Sequence, residues 1–218
     1  MGQVVLHLQS ANIADAFEYE GIIDEICALP WAVVDIDKIM RVALAYYYFS
    51  VQFRENLEIA CRLYPDDENL KVLFREECNT SNLSPWENIA EIGEAMNHDE
   101  FMRRLLALQP MDDVTPLKRD GASYLTLVRQ TGDLARAKSI ASYEDGGLVR
   151  VFSAMLRAPN WGGAGQLAFR HFLEEHIKFD SCSNGGHGAL SRHLLADDSI
   201  LPLWVAFRNI LKRALRLS

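Results

Sequence analysis

The stretch IMRVALAYYYFSVQFRENLEIACRLYP, residues 39–65, decides the fold class. Ile39, Val42, Tyr46, Phe49, Phe53, Leu57, Ala60 and Tyr64 recur there at helical spacing, the mark of an apolar stripe along an α-helix. Pro65 ends the run. Working outward, Asp66 to Cys78 opens on Asp66, Asp67 and Glu68, acidic residues suited to a helix amino terminus. Ser84-Pro85-Trp86-Glu87 has the form of a capping box with Pro at the first helical position, and predicts a helix running to about Gln109, stopped by Pro110. Residues 111–120 are polar, carry Pro116 and read as a loop. Helices are then expected near 122–130, 133–157, 161–180, 187–196 and 199–217, with Ser181 to Gly186 as a break. The seven prolines fall between periodic runs rather than inside them, as long helices require, because Pro costs about 3 kcal/mol in a helix interior. No β alternation or internal repeat competes. The expectation is an all-α bundle forming one helical domain over residues 1–218.

Composition narrows the function classes. The 218 residues carry 22 Lys plus Arg against 30 Asp plus Glu, a formal net charge of −8. An acidic balance argues against non-specific nucleic-acid or anionic-membrane partners, which need clustered Lys and Arg. Cys27, Cys61, Cys78 and Cys182 stand at long spacings without a C-x-x-C pair, so neither a zinc finger nor a small disulfide framework is indicated. Cys27 and Cys61 read as small buried hydrophobes. With no signal-peptide pattern at Met1 to Ser10 and no apolar run of spanning length, the expected location is a reducing cytoplasm.

Chemistry is sought where ionisable residues fall on apolar stripes, since an unpaired buried charge is expensive. In the helix opened by the capping box, Ala95, His98, Met102 and Leu105 share a face, and Glu91, two turns earlier, lies close to the same line. In the 133–157 helix, Glu144 sits in the middle of the stripe Leu134, Ala137, Ala141, Leu148, Phe152 and Met155, just before Gly146 and Gly147. In the 161–180 helix, Phe169, Phe172, His176 and Phe179 form a stripe, and Asp180 follows His176 by one turn. His187 comes after the Gly-Gly break. Each observation alone is ordinary: a lone helical His is usually a satisfied core residue. Together, three carboxylates (Glu91, Glu144, Asp180) and three imidazoles (His98, His176, His187) are the mixed donor set that iron or manganese takes, and helix bundles hold di-metal carboxylate sites in this manner. Tyr46, Phe49 and Phe53 fit either a pocket wall or the core. Arg54, Arg150, Arg170 and Lys178 fit either carboxylate recognition or solvated surface charge.

Glu91-x6-His98, Glu144 and His176-x3-Asp180 resemble, in type, order and spacing, the pattern of the haem-oxygenase-like diiron oxidases and oxygenases, a superfamily related in fold to the TenA-type thiaminases and PqqC. The resemblance covers roughly residues 40–215. One departure is plain: the commonest family spacing puts the last His three residues after the Asp, where this chain has Ser183, and His187-Gly188 resembles a longer variant. The resemblance implies a haem-oxygenase-like bundle and a non-haem iron enzyme holding two Fe(II) ions, with Mn able to substitute and O2 as co-substrate. It also implies N-oxygenation, oxidative C–C cleavage or desaturation of a small organic substrate, expected to be amino-acid-derived and to belong to specialised metabolism. A homodimer is left open. Two alternatives stand beside it: a metal-independent enzyme of the TenA or PqqC kind, for which Cys182 is the nearest nucleophile, and a non-catalytic helical binding protein on the same fold.

Overall fold

In the computed structural model the described residues are 17–77, 85–180 and 186–217. Among them there is no strand, Trp86 and Ala90 form an isolated antiparallel bridge, and the architecture is all-α as expected. No helix among these residues is long and apolar enough to cross a membrane.

The apolar-striped stretch from Ile39 onward forms the central helix. After α1 (Glu18–Cys27) and a single 3-10 turn (Trp31–Val33), α2 runs over Ile36–Leu63. Asp35 caps it by accepting from the Lys38 amide at 2.9 Å, a contact type worth about 1 kcal/mol. At 1.5 Å per residue its 28 residues span roughly 42 Å. That length lets α2 touch α3 (Glu68–Glu77), α4 (His98–Leu108), α5 (Thr115–Arg129), α6 (Asp133–Ser142), α8 (Ala164–Asp180) and α10 (Leu201–Ala214). Its stripe is mainly core: Tyr46, Phe49 and Phe53 are buried, and Phe49 meets Phe207 of α10 at 4.2 Å between ring centroids, while Phe53 also borders a narrow crevice. Helix α7 (Leu148–Met155) packs on α8, and the short α9 (His187–Ser191) leans on α3.

Three expectations need correction. Residues 85–97 are not helical. Trp86 and Ala90 exchange reciprocal backbone bonds (3.1 and 3.0 Å), Asn88 and Gly93 have φ of 63° and 76°, and Arg104 of α4 binds the Ile89 carbonyl at 2.8 Å and Glu94 at 2.8 Å. The segment is therefore a folded loop tied to α4, and the helix starts only at His98, with Asp99 and Glu100 in its first turn. Ser84 of the expected capping box lies outside the described residues. Secondly, Pro116 marks a helix start rather than a loop: α5 begins at Thr115, and Pro in a first turn leaves no bond unmade. Thirdly, the 133–157 helix is interrupted. A π-helical turn, Tyr143–Gly147, separates α6 from α7, with Asp145 at ψ 50° and Gly146 at φ 96°. Leu134, assigned to the inner stripe, is exposed, as is Ala95 in the loop. Cys27 and Cys61 are half-buried, while Cys78, Cys182, Ser183 and most of the 181–186 break lie outside the described residues.

Candidate metal centre

Five of the six expected ligands converge. His98 opens α4, Glu144 lies in the π-turn, His176 and Asp180 sit one turn apart at the end of α8, and His187 opens α9. All five side chains are more than nine-tenths buried. Glu91 is not with them: it is exposed in the 85–97 loop, where its amide donates to Glu94 at 3.1 Å. A seven-residue spacing would put Glu91 on the His98 face only in a helix, and residues 91–97 are not helical.

A carboxylate missing from the expected set takes the central position. Glu77, at the end of α3, is 6% exposed. Its Oε2 lies 2.9 Å from His98 Nδ1 and its Oε1 2.8 Å from His187 Nδ1, so one carboxylate reaches two imidazoles from different helices. On the His187 side, Nδ1 is also 3.1 Å from Glu144 Oε2 and 3.5 Å from Asp180 Oδ1. On the His98 side, Nδ1 lies 3.3 Å from His176 Nε2. The signal for Glu77 was present in the sequence: Leu70, Leu73 and Glu77 recur at steps of three and four, and the two leucines are fully buried. Its neighbour Glu76 brings Oε2 to 3.3 Å from His187 Nε2.

The protonation pattern follows from the surroundings. The Phe172 carbonyl, 2.8 Å from His176 Nδ1, can only accept, so Nδ1 carries the hydrogen and Nε2 turns a lone pair toward His98. Burial, with His98 adding to it, lowers the His176 pKa to about 3, leaving a neutral imidazole. Burial opposes a charged His187, but the Glu77 and Glu144 carboxylates outweigh it and raise its pKa to about 11. Burial likewise opposes the Glu77 carboxylate, yet His98 and His187 hold its pKa well below the usual range. Glu144 and Asp180 go the other way. Burial pushes both up, with His187 pulling against it and neighbouring carboxylates adding to it.

These residues fit a metal ion. Glu77 Oε1, Glu144 Oε2, both Asp180 oxygens and both His187 nitrogens are buried without a hydrogen-bond partner, although several lie at ion-pair distance from one another. Buried polar atoms are ordinarily hydrogen-bonded. Here the carboxylate oxygens and His187 Nδ1 converge on shared space instead of aligning with each other, while His187 Nε2 faces Glu76. Glu77, Glu144 and His187 each offer one ligand atom within 4.8 Å of the others and could hold a metal ion. A cation would answer the cost of burying carboxylates side by side.

The remaining candidates have other work. Arg54 binds Asp99 and Glu58, Arg150 binds Glu20 and Asp24, Arg170 binds Glu174 and Lys178 binds Glu175, all as surface ion pairs. A crevice lined by Ser50, Phe53, Leu57 and Phe74 reaches Glu77 and His98 from between α2 and α3. Compared with protein-family models, with curated proteins and with solved structures, the chain matches none.

Proposed function

We propose that the chain is a non-haem, iron-dependent oxidase or oxygenase that uses a pair of metal ions and O2 on a small organic substrate. The observation that carries this reading is the division of the buried donors into two groups sharing Glu77. One group is Glu144, Asp180 and His187 around Glu77 Oε1; the other is His98 and His176 around Glu77 Oε2. Mixed carboxylate and imidazole donors without thiolate suit iron or manganese. Bound iron would supply the electrons for O2 reduction and open positions for it.

The chain's own residues hold and shield the centre. His176 is oriented by the Phe172 carbonyl and covered by the Phe172 and Phe152 rings, at 4.2 and 5.6 Å between centroids. Phe179 lies 4.5 Å from the His187 ring. These rings shield the donor set from water, and Phe53 and Phe74 border a narrow crevice that reaches Glu77 and His98. The part of the ligand-pattern resemblance that survives, Glu144 and His176-x3-Asp180, is what points to an amino-acid-derived substrate. The free thiols of Cys27 and Cys61 suit a reducing cytoplasm.

The test is metal analysis of protein loaded anaerobically with Fe(II), followed by O2 uptake at an electrode with a panel of amino acids and their derivatives. Two metals per chain and substrate-accelerated O2 uptake are the expected results. Protein that takes up no iron, or takes it up and leaves O2 untouched with every candidate, would return the chain to the metal-independent or non-catalytic readings.

A further inference from the structure

His187 meets carboxylates at both ring nitrogens, and only one of them faces the converging donors. Nδ1 turns toward Glu77, Glu144 and Asp180, whereas Nε2 turns toward Glu76 Oε2 at 3.3 Å. Glu76 and Glu77 are consecutive on α3, so they leave the helix about 100° apart and take the imidazole from two sides. Glu76 Oε2 and His187 Nε2 are each buried without an aligned hydrogen-bond partner. The two side chains differ in freedom: His187 is 1% exposed and flanked by the Phe179 ring, whereas the Glu76 side chain is 40% exposed and can turn. An imidazole that binds a metal through one nitrogen must carry its hydrogen on the other, and an acceptor there fixes both the tautomer and the ring plane.

We propose that Glu76 is a positioning residue that accepts the Nε2 hydrogen of His187 and thereby commits Nδ1 to the metal. This rests on the metal-binding reading of the centre. Glu76 itself would not be a ligand, since its carboxylate lies on the far side of the ring from Glu144 and Asp180.

Zn(II), which is redox-inert, serves as the probe, and the readout is the 15N spectrum of the histidine rings in full-length protein together with Zn(II) affinity. In the parent, His187 should show a metal-bound Nδ1 and a protonated Nε2. Glu76→Ala should weaken Zn(II) binding about 10- to 100-fold and broaden or shift the Nε2 resonance. Glu76→Gln, which keeps an acceptor oxygen, should restore the tautomer and part of the affinity. A purely structural role for Glu76 would leave the ring tautomer unmoved. Zn(II) on Nε2, or a Glu76→Ala protein with parental affinity and spectrum, overturns the proposal while leaving the metal centre standing. A parent protein that binds no Zn(II) and no Fe(II) overturns the centre and the proposal together.

Discussion

Glu77 touches both groups of donors, so its removal has a different consequence from that of any other carboxylate. Glu77→Ala should weaken uptake at both positions, and most at the one formed by His98 and His176, which would keep no carboxylate, whereas the other would retain Glu144, Asp180 and His187. Glu91→Ala should bind metal as the parent does, since its side chain is exposed in the 85–97 loop. Metal analysis of the two variants after gel filtration checks both, and equal losses would show that the loop carboxylate matters after all. The contrast also shows what a residue pattern can reveal. His98, Glu144, His176 and Asp180 were legible because each lies on or beside an apolar stripe of a segment that does coil. Glu77 obeys the same rule on Leu70 and Leu73, but at the far end of a short acidic helix where one more carboxylate does not stand out. Glu91 was misplaced because a seven-residue spacing brings side chains together only where the backbone is helical.

At the scale of elements, the π-turn is what aims Glu144 inward, and two glycines shape it. Gly146 adopts φ 96°, a conformation costly for L side chains, and a Cβ on Gly147 would lie 2.2 Å from the Ser142 carbonyl oxygen and 3.0 Å from the Trp204 ring. Neither neighbour can retreat easily: the oxygen is backbone, and Trp204 is fully buried with its indole N–H on Ser142 at 3.0 Å. Gly147→Ala should therefore destabilise the protein by roughly 1–3 kcal/mol. Gly21→Ala on α1, where a Cβ meets nothing within 4 Å, should instead stabilise it by about 0.5–1 kcal/mol. Urea unfolding of the metal-free variants separates the two signs. Both glycines of the turn were visible in the sequence beside Glu144, but local loosening and a π-turn look the same there. The 85–97 loop was hidden for a related reason. A capping pattern is a local preference of a few residues, whereas the reciprocal Trp86 and Ala90 bonds and the grip of Arg104 are tertiary contacts that override it. The long α2 was legible because its stripe persists over most of 28 residues, which no short-range competitor can outweigh.

For the whole molecule, the stability of the metal-free fold and the affinity for metal depend on pH in opposite senses. In the metal-free protein His187 holds its proton up to about pH 11, against 6.5 in the unfolded chain. Its contribution is therefore fully present below about 6.5 and drains away as pH rises toward 11, because the folded state binds the extra proton. Asp180 and Glu144, pushed upward by burial, contribute with the same sign from the acidic side. His176 acts oppositely and only below 6.5: its folded pKa of about 3 makes stability fall as pH drops through that window. From pH 7 to 9 the His187 effect has a slope of up to about 1.4 kcal/mol per pH unit for one proton. A bound metal requires a deprotonated Nδ1, so loading expels that proton and apparent affinity rises with pH, about tenfold per unit for each proton released. The melting temperature of the metal-free protein should thus fall between pH 7 and 9 while its separation from the metal-loaded protein widens. Scanning both forms across that range, with Zn(II) as the metal, makes the comparison free of redox chemistry. Parallel curves would mean that metal binding releases no proton, and that the ion sits somewhere other than among His187, Glu77 and Glu144.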